Sequence, residues 1–177
     1  MKKLVLIVII MLAPFVGFSQ GIFDSYEGQK DVSSVVVTKN MFKLLAEIDL
    51  ESDDPEVREY LELVNNLDNI KIFMTKNADV GKKMAADVKK YVASSSGLNE
   101  LMRVNDEGKN IKFYSKEGKS ESYVSELLMF LDGAGDDDVE TLVMSITGNI
   151  DLKKISKLTK DMNIPGSDEL KNIEKKG

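Results

Sequence analysis

From Leu101 to Ile146 the chain alternates short β-prone runs with polar turns, and this pattern constrains the fold more than any other feature. Leu101 to Val104 and Ile111 to Ser115 flank Asn105-Asp106-Glu107-Gly108. Glu117-Gly118-Lys119 follows, then Tyr123 to Leu131, then Gly133-Ala134-Gly135 with Asp136-Asp137-Asp138. In the last run Leu142, Met144 and Ile146 alternate with Thr141, Val143 and Ser145. Connectors this short can join antiparallel strands, whereas parallel strands need a crossover of about a dozen residues or more. The pattern therefore predicts a four-stranded meander. Tyr123 to Leu131 is apolar on both faces, as a central strand should be.

The segments before the meander supply helices and further strands. Ser33 to Val37 is β-branched and reads as a strand. After Thr38, a plausible N-cap, Met41, Leu44, Leu45 and Ile48 recur at helical spacing. Asp54-Pro55 is a helix start, since the carboxylate accepts an orphan N–H and proline suits the first helical position. Val57, Leu61 and Val64 form the stripe of that helix, with Asn65-Asn66 and Asp68-Asn69 closing it. Ile70, Ile72 and Met74 alternate with Lys71 and Phe73 as a strand. The longest helix spans about Ala78 to Ser94, with Val80, Met84, Val88, Tyr91 and Val92 along one side. Gly97 suits a left-handed position after its end. Gly148-Asn149 is expected to turn the chain, and Asp151 to cap a final helix carrying Leu152, Ile155 and Leu158. In Gly21 to Asp31, Phe23 and Tyr26 are the expected anchors. The expected class is α+β: a mostly antiparallel sheet of about five to six strands with amphipathic helices packed on one face.

The N-terminus predicts export. Met1, Lys2 and Lys3 form a positive start, Leu4 to Ala13 is unbroken and apolar, Pro14 interrupts it, and Gly17-Phe18-Ser19 places small residues at a cleavage site before Gln20. The apolar run is about half the ~20 residues of a spanning helix. The expected organisation is a cleaved signal over 1–19, one domain over 20–166 and a charged, loose tail over 167–177. No membrane span is expected after cleavage, and the expected location is periplasmic or extracellular.

Composition then excludes chemistries. Taking Lys2 and Lys3 from the 24 basic residues leaves 22 against 30 acidic ones, so net charge moves from −6 to −8. Such a balance disfavours nucleic acid, whose phosphates need clustered Lys and Arg. With no cysteine and no histidine, disulfide bracing, His-based nucleophilic catalysis and ordinary zinc sites are removed. Carboxylate chemistry and oxygen-ligated calcium stay open.

Within those limits, the acidic loop from Asp132 to Glu140 is the candidate cation site, with Asp132, Asp136, Asp138 and Glu140 as ligands and calcium as the ion. Its spacing does not match the EF-hand loop, and the plainer reading is a solvated hairpin turn. Carboxylate pairs such as Glu51 with Asp53, or Glu121 with Glu126, lack any sequence sign of a cleft, and no Trp offers a sugar platform. Ser94-Ser95-Ser96-Gly97 has no nucleophile-elbow pattern, and Gly118-Lys119-Ser120 lacks the first glycine of a P-loop. Lys82, Lys83, Lys89 and Lys90 line one side of the long helix, diluted by Asp79 and Asp87, and read as a wet face. Met41, Met74, Met84, Met102, Met129 and Met144 lie on apolar stripes, as core packing or as a deformable groove for a lipid or apolar peptide.

The segments Ser34 to Met41, Leu67 to Lys71, Leu101 to Val104 and Gly148 to Leu152 with Ile155 to Leu158 resemble the recurring blocks of the domain of unknown function 4252 family, in order and across nearly the whole exported chain. The resemblance implies a small exported protein of Gram-negative bacteria and supplies no activity or catalytic residue. Some members are encoded near regulatory sigma-factor genes, which implies a link to envelope sensing or stress. The expected function is thus a non-enzymatic envelope module that binds an envelope protein or an apolar ligand. The alternatives are a periplasmic carboxylate- or calcium-dependent enzyme, and a structural envelope protein without a discrete ligand.

Overall fold

The computed structural model describes residues 21–48, 55–106, 109–120, 122–133 and 141–152. The expected signal segment 1–19, the acidic stretch 134–140, the expected final helix beyond Leu152 and the expected tail 167–177 lie outside the described residues. Strands β1 (Ser33–Thr38), β2 (Leu67–Thr75), β3 (Leu98–Asp106), β4 (Lys109–Glu117), β5 (Tyr123–Asp132) and β6 (Thr141–Asp151) form one sheet in the order β1-β2-β6-β5-β4-β3. Every neighbouring pair is antiparallel. Helices α1 (Lys39–Ile48) and α2 (Pro55–Asn65) connect β1 to β2, and α3 (Ala78–Ser94) connects β2 to β3. The meander β3 to β6 is as the alternation predicts, and β6 also pairs with β2, so the last strand sits inside the sheet.

The helices do not gather on one face. Phe42 of α1 and Leu61, Leu63 and Val64 of α2 pack with Ile70, Ile72, Phe113, Leu127, Met129, Met144 and Ile146. Met84 and Val88 of α3 pack with Phe73, Leu128, Phe130 and Val143, on the alternate positions of the same strands. The reason is already in β5. Its apolar residues run through both phases of the pleat, so each face needs its own cover.

Local chemistry accounts for most boundaries. The Asn77 side chain accepts from the backbone N–H groups of Asp79 and Val80 at 3.0 and 3.2 Å and so caps α3. Gly97, at φ +82°, takes the left-handed turn that leads α3 into β3. In α1 the expected stripe is corrected. Phe42 is buried, while Met41 and Leu44 are 47% and 51% exposed, because the helix presents its Phe42 side to the sheet.

Gly148 is a second correction. It does not turn the chain but lies within β6 at φ +145°. A Cβ there would stand 2.4 Å from the Asn66 carbonyl oxygen and 2.7 Å from the Leu67 Cα. The β2–β6 register shifts between Leu67 and Asn69, and the Asn149 N–H donates to the Asn66 carbonyl at 2.7 Å. Glycine thus permits a close backbone crossing where α2 enters β2.

Candidate functional site

The second face of the sheet carries the polar chemistry. Phe23 and Tyr26, the expected anchors, are both buried there. The Tyr26 hydroxyl donates to an Asp87 carboxylate oxygen at 2.6 Å, and Lys83 Nζ lies 5.3 Å from the Tyr26 ring centroid. The Phe23 ring meets Tyr91 edge-on at 5.4 Å. Tyr91 in turn donates to Glu126 on β5, 2.8 Å from one carboxylate oxygen and 3.0 Å from the other. Lys71 of β2 pairs with Asp24. These contacts bind the N-terminal segment, α3 and the sheet together.

Burial dominates the electrostatics of these pairs. It pushes the Tyr91 phenol up to about 12, with the neighbouring Glu126 carboxylate adding to the shift. It raises Tyr26 well above the usual phenol range, again with help from a carboxylate, Asp87. Burial also raises Glu126 above the usual carboxylate range, against the opposing pull of the Tyr91 hydroxyl and Lys116. A raised carboxylate can serve as a general acid. Glu126 is only 8% exposed, however, and its oxygens are occupied by Tyr91, so its arrangement is that of a structural clamp.

Beside this clamp a groove of about 510 Å³ runs between α3 and strands β4 and β5. Ala85, Val88, Val92 and Ala93 form the helix wall, and Phe130 and Tyr114 contribute from the sheet. Lys89, Lys112 and Asp132 also line it. The groove follows from the sequence on both sides. The helix positions recur at steps of three and four, and Lys112, Tyr114, Phe130 and Asp132 share one phase of adjacent strands in register. None of the described methionines lines it. Met84, Met129 and Met144 are instead fully buried in the core.

Two other concavities are more polar. One of about 720 Å³ lies between Asp31–Ser33 and Met74–Asn77. There the Thr75 hydroxyl donates to the Asp31 carbonyl at 2.6 Å and Asn77 is engaged as the α3 cap. The other, about 400 Å³, sits at the Gly148 crossing and is lined by residues including Lys39, Asn66, Asp68, Gly118 and Asn149. In it Lys39 and Asp68 pair at 2.6 Å.

Of the expected cation ligands, Asp132 ends β5 on the rim of the α3 groove. Asp136, Asp138 and Glu140 lie outside the described residues. Among the described residues no three carboxylates gather around a common point. Glu51, Asp53 and Glu121 also lie outside them. The sequence points to a methionine-lined groove for an apolar ligand, whereas the α3 groove has a different lining, and no sequence motif singles out the Tyr91–Glu126 clamp. The available signal was the long-helix stripe, in which a tyrosine stands among valines and so asks for a polar partner below.

Comparison with known proteins adds the family. No curated protein matches the chain. The structure is similar to the R-hydratase PhaJ1 from Pseudomonas aeruginosa in the unliganded form, over 69% of this chain and 81% of that one at 12% identity. The TM-score is 0.16, at which the likeness implies nothing about fold or activity. The model of the family described as Domain of unknown function (DUF4252) matches residues 26–158, a span that takes in the six strands and three α-helices of the described residues. Two of the blocks that suggested the family, Leu67–Lys71 and Gly148–Leu152, are the two sides of the Gly148 crossing, and on this match the chain belongs to the DUF4252 family.

Proposed function

We propose that this chain is an exported, non-enzymatic binding module of the cell envelope, and that its receiving surface is the α3 groove. The occupant is an elongated apolar molecule with an acidic end. The observation that supports this reading is the pairing of an apolar wall (Val88, Val92, Phe130) with two lysines, Lys89 and Lys112, against the single carboxylate of Asp132. Ligand pockets are mostly apolar, with a few polar groups fixing orientation. An ammonium at the rim stays in water while it attracts an acid group, and the chain's overall negative charge makes such a positive spot selective. Among the described residues no helix is long and apolar enough to cross a membrane. Periplasmic or extracellular placement belongs to the same proposal and rests on the N-terminal pattern.

The test is a fluorescence titration with anilinonaphthalene sulfonate, which is itself apolar with an acidic end, followed by displacement with a long-chain fatty acid. Saturable enhancement by the folded protein, displaced by the fatty acid and weakened about tenfold or more in Lys89→Glu/Lys112→Glu, is the expected result. Dye binding that is absent, or unchanged in the double variant, would overturn the reading.

A further inference from the structure

The two edges of the sheet are built differently. The β3 edge carries Glu100, Arg103 and Asp106, with Arg103 paired to Glu100 at 2.7 Å. Its register is broken by an irregularity between Glu100 and Met102. Charges and bulges of this kind are how edge strands avoid pairing with other chains. The β1 edge has none of them. Its sequence is Ser33-Ser34-Val35-Val36-Val37-Thr38, without charge or proline, and its pairing to β2 is unbroken. No strand among the described residues covers its outer side.

Exposed apolar surface gathers at the same place. Among the described residues the exposed large apolar side chains are Val35 (43%), Met41 (47%), Leu44 (51%) and Leu101 (37%). The first three belong to β1 and to α1, which follows it directly and packs beside it. An uncharged β-branched edge with an apolar flank is suited to strand addition.

We propose that β1 is a self-association surface, on which a second copy of this chain adds its own β1 antiparallel across a two-fold axis. Self-complementarity decides for a second copy over an unrelated strand. A two-fold antiparallel pair centred on Val35 puts Ser34 opposite Val36 and Ser33 opposite Val37, with no charge facing a like charge. The Asp31 end of each copy then meets the Lys39 end of the other. The exposed Lys39–Asp68 pair is weak enough to rearrange. The interface is isologous and closes on itself. It joins two six-stranded sheets into one, and the Val35 and Leu44 side chains gain cover on the α1 side.

The absence of cysteine makes the test clean. Chain from Gln20 to Gly177, which contains every described residue, is examined by sedimentation and then by single-cysteine cross-linking. A dimer is expected in the wild type, weakened about tenfold or more in Val35→Lys. Facing residues on such a pair lie about 4.5–5.5 Å apart at Cβ, close to disulfide reach. Val35→Cys should therefore cross-link on mild oxidation far faster than Leu101→Cys on the other edge. If Val35→Lys does not fold by circular dichroism, Leu44→Glu on the exposed side of α1 takes its place. A monomer up to ~100 μM, a concentration that would populate even a weak dimer, overturns the proposal. So does a dimer that both charge variants leave intact, or equal cross-linking at the two edges.

Discussion

The two faces of the sheet solve the same burial problem with different materials. The α1–α2 face is closed almost wholly by aliphatic, Met and Phe side chains, with Phe113, Leu127, Met129, Met144 and Ile146 fully out of water. The α3 face has fewer such residues and adds the Tyr26–Asp87 and Tyr91–Glu126 pairs, the Lys71–Asp24 ion pair and an adjoining groove. Apolar packing stabilises in proportion to the area buried and is indifferent to register. Hydrogen-bonded tyrosines each contribute only about 1–3 kcal/mol, yet they define where a helix must sit. The difference teaches that the first face holds the fold together, whereas the second positions α3, the wall of the groove.

The largest effect that bears on this contrast is a cavity. Phe113→Ala on the first face should lower unfolding free energy by about 3–5 kcal/mol, and Met84→Ala on the inner side of α3 by about 2–3 kcal/mol, near the low end for such truncations. Chemical denaturation gives both values, and a Met84 cost equal to or above that of Phe113 would break the contrast. Next, Tyr26→Phe should cost about 1–2 kcal/mol, the range for a hydrogen bond to a charged group that can partly rehydrate. A loss near zero would mean that the second face is held by packing alone.

Much of this architecture was legible from residue patterns, and the exceptions have physical causes. Alternation and turn residues located the meander, and the stripe from Val80 to Val92 located α3, because local rules of period and capping act there without rival. Gly148 was misread as a turn because a glycine in a strand and a glycine in a turn look alike in one dimension. The backbone of Leu67 that makes it necessary lies about eighty residues away and is brought near only by the sheet. Met41 and Leu44 fall on the apolar side that periodicity marks in α1 and are nonetheless exposed, because periodicity cannot say which apolar residues of the helix meet the sheet. The expected cation ligands divide, with Asp132 placed at the rim of the α3 groove. A groove is expected from the methionines, but its place and lining are not legible in sequence, since they depend on β4 and β5 lying in register beneath a helix from another part of the chain.

A smaller effect sharpens the contrast through pH. Glu126 is raised in the folded state, chiefly by burial, so the native protein holds that proton more tightly than the unfolded chain. Its contribution to stability is full below the ordinary carboxylate range and is lost as pH rises through its raised value. Glu126→Gln keeps an oxygen for Tyr91 and removes the buried charge. The variant should therefore melt about 1–3 °C higher than the wild type near neutral pH, with the gap closing on acidification. A gap that widens in acid would reverse the assignment. Smallest of all, Lys89→Glu/Lys112→Glu should leave stability within about 0.5 kcal/mol while changing dye binding, which separates the groove's role in recognition from any role in holding the fold.

The position of β6 also bears on timing. The last strand of the described residues, β6, is the keystone between β2 and β5, and its pairing of Ile70 with Ile146 spans most of the described residues. A chain that emerges amino end first, from a ribosome or through a pore, can form α3 and begin its hairpins early. It cannot join its two halves until Thr141–Asp151 arrives. Long-range strand insertion of this kind is slow, and the half-sheets that wait for it expose unpaired edges. Folding of the sheet thereby waits for β6, and loss of β6 should leave two unsealed fragments of a sheet.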